Sequence, residues 1–307
     1  MPSKPLTIWL LTDSKPGHQN QLRGLLSALQ KQIAVEAHWL EISAWHQPLV
    51  GPVPNGKPDL ILCCGHRTHI PALLCKLCYG GFLTVLMKPS LPLWLFNLCI
   101  IPEHDEPPNR KNIITTKGVL NTIEPSAASQ QDPNRGLLLI GGPSKHHNWD
   151  NEQALQQIKN ICEQWPETQW VLTTSRRTPS TFNETLTESL SRLSNLSFIP
   201  CEETGSNWLK EQFTKASQVW VSEDSVSMVY ESLTSGAQVG LIRVPQKIAP
   251  QKNASSRVIR SIEQLIHENY LLTEISSTQE PNNNKKFPPQ ADIIAQQLLD
   301  SFNQTSD

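Results

Sequence analysis

The sequence predicts an α/β protein with two Rossmann-like, doubly wound domains that face a cleft. Short apolar runs typical of buried parallel strands, such as Thr7–Leu11 and Leu60–Cys64, alternate with stretches that carry apolar residues at helical spacing. The alternation stops in the polar stretch Asn121–Asn134, which we interpret as the linker between domains, and starts again at Gly136–Ile140. Such alternation is typical of parallel sheets covered by helices, in which ligands bind beyond the carboxyl ends of the strands.

The N-terminal half contains five predicted strands and two predicted helices. The strands are Thr7–Leu11, Val35–Leu40, Leu60–Cys64, Leu83–Met87 and Leu98–Ile101, and the helices are Gln19–Gln32 and Ile70–Leu77. This half forms the first predicted domain, residues 1–130.

The C-terminal half repeats the same pattern. Its strands are Gly136–Ile140, Trp170–Thr173, Ser197–Pro200, Gln218–Ser222 and Gln238–Ile242, and its helices are Asn151–Gln164, Ser227–Ser235, Val258–His267 and Ala291–Phe302. The second predicted domain covers residues 131–270, and residues 271–307 form a polar linker with a C-terminal helix.

Composition excludes some partners and compartments. A net charge of -2 over 307 residues provides no basic surface for nucleic acid, so we expect no nucleic-acid partner. Seven cysteines, an odd number, argue against a disulfide framework and favour a reducing, cytoplasmic compartment. The pair Cys75 and Cys78 could join Cys63 and Cys64 in a zinc site, but adjacent strand residues point to opposite faces, so buried free thiols are favoured.

The most apolar stretch, Ile70–Ile101, is interrupted by lysines, glycines and prolines, so no membrane-spanning segment is predicted. The apolar run at the N-terminus is too short for a signal peptide. Within the long stretch, Leu91–Phe96 is interpreted as a buried strand with its flanking turn. The alternative is a face that touches a membrane, with the protein peripheral at the inner membrane.

Two candidate sites follow strands of the N-terminal half. In Asp13–Gln21, His18 could take a proton from an acceptor hydroxyl, and Asp13 could orient the imidazole or act as the base itself. The alternative is a helix cap with an exposed histidine. In Pro102–Asp105, His104 and Asp105 could hydrogen-bond a polyol, or the segment could be an ordinary solvated loop.

Two more candidates follow the first strands of the C-terminal half. Gly141 and Gly142 would let the backbone approach a pyrophosphate, although for the glycines alone a plain tight turn is the favoured interpretation. Arg176 and Arg177, beside the hydroxyl of Ser175, form a possible phosphate clamp, and the alternative is a basic pair on the surface.

The last candidate is the stretch Glu223–Glu231. Asp224 or Ser225 would cap the following helix, whose N–H groups would point at a phosphate, and Glu231 could accept the hydroxyls of a ribose. A capped helix with an ordinary surface glutamate is the alternative. Neither a Walker A motif nor a dinucleotide fingerprint occurs, and no DxD motif offers a metal site.

Together these motifs resemble the mitochondrial-fission "elongated mitochondria" family, which includes many bacterial proteins. The matching blocks run in the family's order over residues 5–262: Asp13–Gln21 (DSKPGHQNQ), Pro102–Asp105 (PEHD), Gly141-Gly142, Thr174–Pro179 (TSRRTP), and Glu223–Met228 (EDSVSM) with Glu231. The sequence departs from relatives at Met87–Ser90 and at Ser235–Gly240.

The resemblance implies a glycosyltransferase-B-like fold, with the acceptor side in the N-terminal half and the nucleotide-sugar in the C-terminal half. The chain is also similar to the bacterial transferase that adds N-acetylglucosamine to a lipid-linked muropeptide. By this resemblance, His18 of this sequence matches a catalytic position of that enzyme, and Glu231 matches a ribose-binding position. The expected catalytic residues are His18 and Asp13, the acceptor-side residues are Gly17, Gln21, His104 and Asp105, and the donor-binding residues are Gly141, Gly142, Ser175, Arg176, Arg177, Asp224, Ser225, Val226, Ser227, Met228 and Glu231.

The expected function is sugar transfer from a nucleotide-diphosphate donor to a cell-envelope or lipid-linked acceptor, with inversion and without a metal or cofactor. The arginines and backbone N–H groups would neutralise the leaving diphosphate. One alternative is a non-catalytic protein of the same fold that binds a nucleotide or a partner at a membrane surface. A nucleotide-sugar epimerase is a third hypothesis.

Overall fold

The structure is a computed structural model that describes residues 4–42, 54, 56–190, 193–205, 207–247, 257–273 and 285–306. The chain divides into two compact units. Unit 1 comprises Met1–Thr122 and Pro289–Asp307, and unit 2 comprises Ile123–Pro288. The sequence instead predicted boundaries at residues 130 and 270 and a separate C-terminal segment.

Unit 1 contains a six-stranded, all-parallel sheet with the strand order β2-β1-β3-β4-β5-β6. Its elements are β1 (Leu6–Thr12), α1 (Pro16–Gln32), β2 (Val35–Glu41), β3 (Leu60–Cys64), α2 (His69–Tyr79), β4 (Phe82–Leu86), β5 (Leu98–Pro102) and β6 (Ile113–Thr116). Strands β3, β4 and β5 are buried at every position, as continuous apolar runs require when helices cover both faces of a sheet.

The sheet of unit 1 has a separate apolar layer on each face. Ile8 and Leu10 of β1 belong to one layer, and Trp9 and Leu11 belong to the other. Cys63 and Cys64 are divided in the same way, as expected for neighbours on a strand, so the predicted arrangement of these two thiols is confirmed.

The C-terminal helix α8 (Gln290–Ser306) belongs to unit 1, where it packs on α1. Its stripe of Ile294, Ala295, Leu298 and Leu299 is buried in the same layer as Leu22 and Leu25 of α1. These four positions lie on one helix face. Their burial completes the core of unit 1, although the rest of that unit comes from the other end of the sequence.

Unit 2 contains a five-stranded parallel sheet with the order β11-β10-β7-β8-β9. Its elements are β7 (Asp132–Leu139), α3 (Asn151–Gln164), β8 (Gln169–Thr173), α4 (Ser180–Leu190), β9 (Leu196–Ile199), α5 (Trp208–Lys215), β10 (Ala216–Ser222), α6 (Val226–Thr234), β11 (Gln238–Ile242) and α7 (Arg257–His267). Gly136 makes room for Trp170, because a Cβ there would lie 2.2 Å from the indole ring.

The structure corrects two local predictions. Leu91–Phe96 is not a strand: Leu93–Leu95 form a single 3-10 turn, and 72% of Trp94 is exposed. Pro92 has no N–H to donate to a strand ladder, which explains why the apolar run does not join the sheet. The polar stretch Asn121–Asn134, interpreted from its lack of periodicity as the linker between domains, contains a 3-10 turn at Ala128–Gln130 and the start of β7. Within the described residues, no helix is both long and apolar enough to cross a bilayer.

Candidate functional site

The carboxyl ends of β1 and β3 define the first candidate site, in unit 1. The chain passes from β1 to β2 on one side, and β3 lies on the other side of β1. Open α/β sheets bind ligands at such a point, where the strand order reverses. Asp13 follows β1 directly, His18 lies in the first turn of α1, and Gly65 follows β3.

Asp13 and His18 form a hydrogen-bonded pair at this point. His18 Nδ1 lies 2.7 Å from Asp13 Oδ1, with the carboxylate fully buried and 20% of the imidazole exposed. Burial alone would raise the pKa of Asp13, but the hydrogen bond from His18, the charge of His18 and the nearby Lys15 together hold it below its ordinary value. An ionised carboxylate on Nδ1 fixes the ring and leaves Nε2 as the nitrogen that can accept a proton.

Gly65 provides the space that this pair occupies. A Cβ on Gly65 would lie 2.5 Å from His18 Nδ1 and 3.0 Å from Asp13 Oδ2. Its φ of +97° and ψ of 143° lie in a region that favours glycine. Sequence reasoning missed Gly65 as a site residue, although its position directly after a buried strand was a usable signal.

The other predicted acceptor-side residues lie at the same edge of the sheet. Gly17 has open space at its Cβ position, and the buried Gln21 donates its side-chain amide to the Met87 sulfur at 3.3 Å. His104 and Asp105 form a 3-10 turn after β5, where the backbone carbonyl of Asp105 accepts a bond from Lys88 Nζ at 2.9 Å. Because β5 is three strands from β1, this turn lies roughly 14 Å along the edge from Asp13.

The carboxyl ends of β7 and β10 define the second candidate site, in unit 2. The strand order reverses between them, as it does between β1 and β3 in unit 1. The Gly141 N–H donates to Ser222 Oγ at 2.7 Å, and the Gly142 N–H donates to Asp224 Oδ2 at 3.0 Å. The glycines therefore allow the close approach that the sequence predicted, but the group that approaches is the Asp224 carboxylate: a Cβ on Gly141 would lie 2.2 Å from it.

Arg177 is joined to the same carboxylate. Its guanidinium lies 2.8 Å from Asp224 Oδ2 and also donates to the carbonyls of Gly142 and Pro143. The side chain of Asp224 is fully buried, whereas 41% of Arg177 is exposed. The two adjacent arginines thus differ in role, because Arg176 is an exposed neighbour and Arg177 balances a buried charge.

Three further contacts fix the loop after β8, one to Gly141 and two within the loop. Thr178 Oγ1 donates to the Gly141 carbonyl and accepts the Ser175 N–H at 2.9 Å. The hydroxyl of Ser175 in turn accepts the Arg177 N–H at 3.2 Å. Ser175 therefore shapes the loop that carries the arginines.

The start of α6 corrects one sequence-based expectation. Ser225 occupies the N-cap position, but no side chain caps the helix, so the prediction that Asp224 or Ser225 would do so is wrong. Asp224 is drawn instead to Gly142 and Arg177. Val226, Ser227 and Met228 form the first turn of α6, where backbone N–H groups have no partner within the helix. Glu231 is half-buried on the same helix.

Glu223, next to Asp224 in the sequence, is a second buried carboxylate. It accepts the Val244 N–H at 2.8 Å and pairs with Arg243 at 3.2 Å. Burial raises the pKa of Glu223, and the Val244 N–H and Arg243 oppose that shift. Sequence reasoning did not identify Arg243, since nothing local connects it to residue 223.

No group of three or more histidine, cysteine, aspartate or glutamate side chains that could hold a metal ion occurs among the described residues. All seven cysteines are free thiols.

Residues 16–302 match the family model described as Mitochondrial fission ELM1. The chain belongs to this family. A relative is the uncharacterized protein RP120 of Rickettsia prowazekii (strain Madrid E), which is 22% identical over 298 residues, covering 78% of this chain and 84% of the relative.

Several solved structures share the fold. The putative UDP-N-acetylglucosamine 2-epimerase of Listeria monocytogenes has a TM-score of 0.56 at 12% identity and covers 98% of this chain and 90% of its own. The UDP-GlcNAc 2-epimerase of Neisseria meningitidis, bound to UDP-GlcNAc, has a TM-score of 0.55 at 12% identity, and the match covers 98% of this chain and 100% of the epimerase chain. The predicted two-sheet, glycosyltransferase-B-like α/β fold is confirmed.

Proposed function

We propose that this protein is a glycosyltransferase that takes a sugar from a nucleotide-diphosphate donor, without a metal ion and with inversion at the anomeric carbon. The observation that carries the proposal is the pair of His18 and buried Asp13 beside Gly65, at the point where the strand order of unit 1 reverses. A histidine that is fixed through Nδ1 by a carboxylate is suited to act as a general base.

In the proposed reaction, an acceptor hydroxyl attacks the anomeric carbon of the donor sugar. The new bond from oxygen to carbon forms as the bond from carbon to the β-phosphate oxygen breaks, and the nucleoside diphosphate leaves with the electron pair. His18 Nε2 takes the hydroxyl proton, and Asp13 stabilises the imidazolium that results. The acceptor class that we propose is a cell-envelope or lipid-linked sugar alcohol.

The donor would bind unit 2 at the carboxyl ends of β7 and β10. The N–H groups at Val226, Ser227 and Met228 would meet the diphosphate, with positive charge from Arg176 and a smaller contribution from Arg177, which is already paired with Asp224. The Gly142 N–H is already bound to Asp224, so we assign it no direct phosphate contact. Glu231 would accept the ribose hydroxyls.

Isothermal titration with UDP, GDP, ADP and CMP tests the donor site. We expect one of these nucleotides to bind with a dissociation constant on the order of micromolar. The best ligand is then compared with its 2′-deoxy analogue in the native protein and in Glu231→Gln. We expect the native protein to bind the ribonucleotide more tightly than its 2′-deoxy analogue, and Glu231→Gln to bind the two with similar affinity. Flat titrations for all four nucleotides would refute the donor assignment.

Turnover tests the role of His18. His18→Ala should lose sugar transfer by a factor of about 100 or more while nucleotide affinity stays unchanged. His38→Ala is the matched control, because His38 lies on β2 and pairs with the exposed Glu36. Loss of nucleotide binding in His18→Ala would mean that the assigned role is wrong. Release of an epimerised nucleotide-sugar with no free nucleotide would identify an epimerase instead.

A further inference from the structure

Helix α2 of unit 1 has an exposed apolar stripe. The exposed fractions are 40% for Ile70, 55% for Leu74 and 82% for Leu77. These three residues are spaced by four and three positions, so they lie on one face of the helix. The opposite face, with Ala72 and Cys75, is buried against the sheet. One apolar face of α2 is buried against the sheet, and the second apolar face is open to an interaction partner.

The 3-10 turn at Leu93–Leu95 adds a further exposed apolar side chain beside α2. It packs beside α2: the ring of His69 meets the ring of Phe96 edge to face at 5.7 Å, and Lys76 Nζ lies 3.5 Å from the Leu95 carbonyl. Trp94, within this turn, is 72% exposed. Four of the six exposed large apolar residues among the described residues therefore come from two neighbouring elements. We call Ile70, Leu74, Leu77 and Trp94 the apolar patch.

The segment that carries the patch has charge of one sign. From residue 60 to residue 102 the sequence has three cationic side chains, Arg67, Lys76 and Lys88, and no aspartate or glutamate. Arg67 is exposed just before α2, and Lys76 is half-buried on α2 itself. Lys88 lies beyond the end of β4, where it donates to the Asp105 carbonyl. An apolar helix face with an exposed tryptophan in the neighbouring turn and basic side chains in the same segment complements an anionic lipid surface.

We propose that the apolar patch docks unit 1 onto a membrane that contains anionic lipid. Ile70, Leu74, Leu77 and Trp94 enter the interface, and Arg67 and Lys76 face the headgroups. The helix lies in the plane of the interface and does not cross the bilayer. This inference does not depend on the proposed sugar transfer, because it rests on a different surface of the unit.

Co-sedimentation of the full chain with vesicles tests the docking. Vesicles of phosphatidylcholine with phosphatidylglycerol should bind the protein, and vesicles of phosphatidylcholine alone should bind it far less. Binding to the mixed vesicles should weaken as NaCl is raised, because salt screens the basic side chains. Equal binding to both compositions, or no binding to either, would overturn the proposal.

Two variants locate the contact. The double variant Leu74→Ser/Leu77→Ser should raise the lipid concentration for half-maximal binding by about tenfold or more, because both apolar side chains are lost from the interface. Ile293→Ser is the matched control: Ile293 is 39% exposed on α8 of the same unit, away from the patch in sequence. Both changes are at exposed positions, so circular dichroism should match the native protein. An equal loss of binding in the control would overturn the assignment of the contact.

Tryptophan fluorescence and light scattering provide independent readouts. Mixed vesicles should shift the emission of the native protein to the blue, and Trp94→Phe should lose most of that shift. If the patch instead joins two copies of the chain, light scattering would show a doubled mass without vesicles, which Leu74→Ser/Leu77→Ser would abolish. That result, in the absence of vesicle binding, would refute a lipid partner.

Discussion

Replacing Gly65 with alanine is the sharpest test of the site in unit 1. The added Cβ would lie 2.5 Å from His18 Nδ1, 2.7 Å from His18 Cε1 and 3.0 Å from Asp13 Oδ2. Carbon atoms do not approach ring atoms this closely, so the imidazole or the backbone must move. Movement of the imidazole separates the two atoms whose 2.7 Å contact defines the pair, whereas movement of the backbone shifts the end of β3.

The expected loss of stability has two parts. A non-glycine residue at φ +97° costs about 1–3 kcal/mol in backbone strain. Displacing His18 removes a hydrogen bond from the fully buried Asp13 carboxylate, which costs about 1–3 kcal/mol. Together these effects predict a loss of about 2–6 kcal/mol, a large fraction of the stability of an ordinary domain.

Urea unfolding measures this loss, and Gly17→Ala is the control. Gly17 lies next to His18 in α1, but its Cβ position has open space, so that variant should change the unfolding free energy by less than about 1 kcal/mol. In Gly65→Ala, the Nδ1 resonance of His18 should also lose its hydrogen-bonded shift. If both variants are equally stable and the resonance is unchanged, then Gly65 does not shape the pair.

Three further predictions concern other parts of the molecule. Arg177→Ala should cost about 1–3 kcal/mol of unfolding free energy, because it removes the cation beside the buried Asp224, whereas the exposed Arg176→Ala should cost under about 0.5 kcal/mol; equal losses would contradict the pairing. Burial lowers the pKa of His69 to about 4, so the unfolded chain binds an extra proton between about pH 4 and 6.5, and the unfolding free energy should fall as the pH is lowered through that window, by up to about 1.4 kcal/mol per pH unit. Urea unfolding at several pH values should give a flatter profile for His69→Gln, and parallel profiles would show that His69 is not responsible. Leu298→Ala should cost about 2–5 kcal/mol because α8 completes the core of unit 1, while Ile293→Ala on the exposed side should cost far less; similar values would mean that the helix is not part of that core.

The strands were predictable because their residues are buried on both faces. Leu60–Cys64 was predicted with its observed ends, and Thr7–Leu11 lies within the observed Leu6–Thr12. Elements with few core residues were missed: α4 contributes Phe182 and Leu186 to its apolar cluster, and apart from Leu190 the rest of the helix is polar. A pattern that depends on three apolar side chains in eleven residues gives a weak periodic signal.

The contacts of the candidate sites were less predictable than their members. His18 and Asp13 are five positions apart, so a local pattern could suggest their pairing. Asp224 and Arg177 are forty-seven positions apart and meet only because β10 and β8 flank β7 in the sheet. Strand order depends on how all the layers pack, and no local feature of TSRRTP or EDSVSM encodes it. For Trp94 the favoured interpretation, a buried strand, was wrong and the exposed alternative was right, since apolar composition alone does not distinguish a buried run from an exposed one.

The two candidate sites use the same device for different purposes. In each unit, a glycine that follows one strand leaves room for a carboxylate that follows the adjacent strand, at the point where the strand order reverses. Gly65 leaves room for Asp13, and Gly141 leaves room for Asp224. In unit 1 the carboxylate orients a histidine. In unit 2 it neutralises Arg177, whose charge is therefore already balanced before any diphosphate arrives. Much of the affinity for a donor would then come from the uncapped start of α6, and Arg177 would serve mainly to hold the loop. On this argument Arg177→Ala lowers stability more than it lowers nucleotide affinity, the opposite of what a simple arginine clamp would do.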